Sequence, residues 1–86
     1  VSGVEDFHVA DIGHMVASLE TAMRHIALID RQLGEKALTL INAELSADTV
    51  ARIALAREDC TRALTTYRGL IEDLETLKAS IAAAHE

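Results

Sequence analysis

One pattern of spacing constrains this chain more than any other: Ile53, Ala56, Cys60, Ala63, Tyr67, Leu70, Leu74, Leu77, Ile81 and Ala84 follow one another in alternating steps of three and four residues. Steps of that size return to one side of an α-helix, whereas a strand would need steps of two. A second run upstream has the same form, through Ile12, Met15, Leu19, Ala22, Ile26, Ile29 and Leu33. Beyond Leu33 its spacing slips by one, to Ala37, Leu40 and Glu44. The slip falls beside Gly34, a residue that costs a helix about 1 kcal/mol relative to alanine, so a kink or local rewinding is expected there. No proline occurs anywhere to interrupt either run.

The stretch from Asn42 to Asp48 carries the turn chemistry between the two runs. Ser46 can accept a backbone N–H as the cap of the next helix, and Asp48 falls in its first turn, where the helix dipole favours a carboxylate. The expected fold is therefore all-α. It is an antiparallel, coiled-coil-like two-helix hairpin forming a single domain over residues 1–86. Residues 1–10 are a lead-in with room for a short N-terminal helix, the first helix covers about 11–44, and the second about 47–84.

Composition narrows the core and the partner classes. Half of the residues are apolar, yet Phe7 and Tyr67 are the only aromatics, so the interior must be built from aliphatics and Met. The net charge of −6 divides as −4 over residues 1–45 and −2 over the remainder, and neither half is basic. Arg52, Arg57, Arg62 and Arg68 fan around their helix instead of lining one side, which argues against nucleic acid or an anionic membrane as partner. No apolar run approaches the roughly 18 residues of a membrane span, and no signal-peptide zoning is visible. A soluble cytoplasmic protein is expected. Glu20 with Arg24, Asp48 with Arg52 and Glu58 with Arg62 are spaced to pair along the exposed faces.

The apolar surface exceeds what a two-helix seam requires. Val16 and Met23 on the first helix, and Leu64 and Ile71 on the second, flank the seams one residue after alternate members. Each stripe is thereby widened to the three positions per heptad found in larger bundles. Together with Tyr67, a bulky seam residue needing a hydrogen bond, these four form the expected partner interface. Three coverings are compatible with it: the lead-in folding back with Phe7 and Val9, a homodimeric four-helix bundle, or a helical protein partner.

Little in the chain suggests catalysis or a cofactor. Glu5-x-x-His8 and Asp11-x-x-His14 have the spacing of carboxylate-bundle metal ligands, but the second helix offers only alanines and aliphatics along its seam, so no metal site is expected. His25 reads as a partly buried, hydrogen-bonded imidazole. Cys60, in the seam with Glu58 and Asp59 nearby, reads as a small hydrophobe. No glycine-rich phosphate loop or paired zinc-ligand motif occurs. Ile29-Asp30-Arg31-Gln32-Leu33 is similar to the first-helix signature of all-helical chorismate mutases. That family places an arginine where this chain has Met23, with Arg24 one place out of register. The later cationic segments are also missing, so nothing would hold a dicarboxylate. A non-enzymatic protein is expected.

The overall plan, and the stretch from Ser46 to Leu70 in particular, resembles the small E-type co-chaperones of bacterial type III secretion needle subunits. The likeness lies in the start Ser46-Ala47-Asp48-Thr49-Val50 and in the run Cys60-Thr61-Arg62-Ala63-Leu64-Thr65-Thr66-Tyr67-Arg68-Gly69-Leu70. Family members commonly carry proline and an aromatic at the turn, where this chain has Ala47 and Val50. The resemblance implies a cytoplasmic protein that pairs with a TPR-like helical-repeat chaperone and helps keep a needle subunit soluble before export, without a cofactor.

Overall fold

The computed structural model describes residues 9–44 and 46–84. Two α-helices account for almost all of them: α1, Val9–Asn42, and α2, Ala47–Ala84. They lie side by side as an antiparallel hairpin, a rod of 63 × 17 × 15 Å, and no strand occurs among the described residues. Glu5, Phe7, His8, Leu45 and His85 lie outside the described residues.

Local chemistry accounts for the turn. α1 closes with Ala43 N–H donating to Thr39 O at 3.1 Å and Glu44 N–H to Ile41 O at 3.0 Å, and Glu44 turns the chain out of the helix at φ 56°. Ser46 then caps α2: its Oγ accepts from Thr49 N–H at 3.3 Å, while its carbonyl receives the helix's first backbone bond, from Val50, at 3.1 Å. Ser46 does this at φ 45°, a left-handed conformation that is costly for a residue with a Cβ.

The seam differs from the one the apolar spacing predicts, and the difference is systematic. Ile12 is 1% exposed and packs with Val16, 9% exposed, and Leu74; Leu19, Ile71 and Ile81 close around them. Met23, Ile26, Asp30, Leu33, Ala37 and Leu40 continue this inner side of α1 as half-buried residues. Met15 and Ile29, expected in the seam, are 42% and 48% exposed. The same displacement occurs on α2, where Leu64 and Ile71 are half-buried and Leu70 and Leu77 are exposed. Val16 and Asp30 on α1 and Ile71 on α2 lie inward in place of the expected Met15, Ile29 and Leu70, while in the middle Ala22 with Met23, and Ala63 with Leu64, are half-buried alike. With Asp30 in place of Ile29, the alternation runs unbroken from Ile12 to Leu40. The slip beside Gly34 disappears, and α1 continues through that glycine.

Packing and electrostatics both favour the observed register. It brings Val16 and Ile71 inward in place of Met15 and Leu70, and adds Met23 and Leu64 beside the half-buried Ala22 and Ala63 in the middle of the hairpin. Burying the added side chains removes more apolar surface from water, at about 25 cal/mol per Å². It also brings Asp30 of α1 against Arg57 of α2. Arg57 Nε donates to Asp30 Oδ1 at 2.9 Å and Nη2 to Oδ2 at 3.4 Å, which sets the level of one helix beside the other.

Candidate protein-binding face

Three surfaces of the hairpin have distinct chemistry. On one side, Asp30 and Arg57 form a charged groove with Ala54, Glu58 and Thr61. The guanidinium of Arg57 holds the Asp30 carboxyl below its ordinary value, and Asp30 raises Arg57 in return. Gly34 adjoins this pair. A Cβ added there would stand 2.7 Å from Arg57 Nη1, so the glycine leaves room for the guanidinium to cross to Asp30. A second surface, beside the turn, is a small apolar groove lined by Leu40, Ile41, Glu44, Ala47 and Val50.

The third surface runs along the opposite side from the Asp30–Arg57 groove, and its residues arise from the register just described. Met15, Ala22 and Ile29 recur every seven residues on α1, and Ala56, Ala63, Leu70 and Leu77 do so on α2. A seven-residue repeat keeps each set in one row beside the seam, and in an antiparallel pair the two rows flank the same side. The shallow groove lined by His14, Met15, Ser18, Leu19 and Leu70 shows the rows meeting near the open end of the hairpin. Leu77 is 47% exposed and extends the apolar strip beyond Leu70. The next row outward is polar: Asp11, Ser18, His25 and Gln32 on α1, and Arg52, Asp59, Thr66 and Asp73 on α2. An apolar strip with a polar rim is the anatomy of a protein-binding surface.

The structure redistributes the residues expected to meet a partner. Val16 is enclosed in the hairpin's own core, and Ile71 packs against it. Met23, Leu64 and Tyr67 are half-buried along the seam. Met15, Ile29, Leu70 and Leu77, assigned by spacing to the seam, stand on the surface instead. The excess of apolar residues read from the sequence is thus present, but the hairpin consumes one flank and exposes the other. The signal that distinguishes them was available: only the register containing Asp30 gives α1 an unbroken alternation.

Other residues singled out by sequence are placed as follows. Asp11 and His14 are exposed on the first turns of α1, and His25 is exposed instead of partly buried. No group of three or more His, Cys, Asp or Glu side chains converges among the described residues. Cys60 is half-buried in the seam. The three expected i, i+4 ion pairs do not close among the described residues: Arg24 donates to Thr21 Oγ1 at 3.1 Å, and Arg62 turns to Asp59 at 3.0 Å instead of Glu58. No described helix is long and apolar enough to cross a membrane. No family model, curated protein or solved structure matches the chain.

Proposed function

We propose that this chain is a non-enzymatic interaction protein that docks helix against helix through the face formed by Met15, Ala22 and Ile29 on α1 and Ala56, Ala63, Leu70 and Leu77 on α2. The observation that supports the reading is the exposure of Met15, Ile29, Leu70 and Leu77 on one side of a rod whose core is already filled. Fully burying each Leu or Ile side chain is worth about 1.5–3 kcal/mol, so a partner that covers the strip gains substantially. The alanines between the large residues let another helix approach closely at those levels.

Two partners have the right chemistry. One is the helical-repeat chaperone implied by the likeness to needle co-chaperones, for which the hairpin would act as a lid in the cytoplasm. The other is a second copy of the chain. Photo-crosslinking amino acids at Ile29 and Leu70, compared with the same group at the outward-facing Leu28 and Leu55, test the shared reading in the cell of origin. Adducts with a helical protein, self or other, are expected from Ile29 and Leu70 alone. Adducts formed equally from all four positions, or from none, would refute it.

A further inference from the structure

Resting on that reading, we propose that the occupant of the apolar face is a second copy of this chain, giving a dimeric four-helix bundle. The two hairpins lie face to face about a two-fold axis that crosses the helices at the level of Ala22. In this arrangement α1 packs antiparallel on the other α1, and α2 on the other α2.

Three features of the face select this arrangement. The first is shape. The α2 row is large at the open end of the hairpin, with Leu70 and Leu77, and small toward the turn, with Ala56 and Ala63. A two-fold axis across the helices brings the large half of one copy onto the small half of the other. Leu70 then enters between Ala56 and Ala63, and Ala22 meets its own counterpart on the axis with Met15 and Ile29 closing on either side. An axis parallel to the helices would stack Met15 on Leu70 and leave Ile29 facing Ala56, crowded at one end and open at the other.

The second feature is the rim. On α1, the antiparallel overlay brings Asp11 level with Gln32 of the other copy and Ser18 level with its His25, so polar groups able to hydrogen bond meet without a like-charge pair. On α2 the same axis sets Asp59 between Thr66 and Asp73 of the other copy, and Asp73 between its Arg52 and Asp59. Arg52 on one side, and Arg62, which donates to Asp59 at 3.0 Å, offset the two carboxylates. The third feature is size. The α2 row from Ala56 to Leu77 runs about 32 Å at about 1.5 Å per residue, half of the 63 Å rod, and the overlay about Ala22 covers it from end to end.

Sedimentation of the purified chain tests the proposal, with twice the 9.3 kDa monomer mass as the expected result. Leu70→Asp, at an exposed position, should raise the dissociation constant on the order of 30-fold or more while the far-ultraviolet helix signal of the hairpin persists. The axis is tested in a Cys60→Ala background: a short bis-maleimide should join two copies through Ala22→Cys but not through Leu28→Cys. A monomer at all accessible concentrations, or equal joining at both cysteines, overturns the dimer. Monomer together with face-specific crosslinks to a different helical protein would leave the interaction function standing, whereas monomer without adducts would remove both.

Discussion

At the residue scale, Asp30, Arg57 and Gly34 form one unit. The Asp30 carboxyl is held below its ordinary value of 3.8 by the guanidinium of Arg57, chiefly through the hydrogen bond between them. A carboxyl depressed on folding stabilises the fold above the unfolded value and loses that contribution as pH falls through the folded value. Asp30→Asn should therefore be less stable than the natural chain at neutral pH, with the difference vanishing in acid below the ordinary carboxylate range; urea melts at both pH values measure it. Gly34→Ala should stabilise α1 by up to about 1 kcal/mol from helix propensity, offset by the shift it forces on Arg57. The gain should be larger in an Asp30→Asn background, where Arg57 has no partner to leave. An equal gain in both backgrounds would mean that Gly34 does not serve the ion pair.

At the scale of the elements, the ends and the inner sides of the helices obey different rules. Ser46 caps α2 from a left-handed backbone, so Ser46→Ala loses the cap and keeps the strain, at a cost of about 1 kcal/mol. Ser46→Gly should be nearly neutral, because glycine tolerates both the cap position and the positive φ; paired thermal melts separate the two. Along the helices, Ile12→Ala should destabilise by about 2–5 kcal/mol, while Leu38→Ala, on the exposed side of α1, should stay within about 0.5 kcal/mol. The turn was legible in the sequence because Ser46 and Asp48 act on their own helix. The seam was legible only to within one residue. Met15 and Val16 are both apolar, as are Leu70 and Ile71, so either register buries an aliphatic stripe.

At the scale of the whole molecule, an 86-residue hairpin with four residues buried below a tenth of their surface among those described has a slender core, and association is the natural way to strengthen it. The melting temperature should rise with protein concentration for the natural chain and become independent of concentration in Ile29→Asp, as scanning calorimetry over a dilution series would show. By itself the sequence determined the helices, their antiparallel pairing and the turn, because these depend on local spacing, the absence of proline and a capping serine. Only the tertiary structure decided which apolar flank is core and which is surface. The spacing of α1 allows the register through Asp30, but contacts between residues far apart in the chain make the choice: Ile12 and Val16 with Leu74, and Asp30 with Arg57.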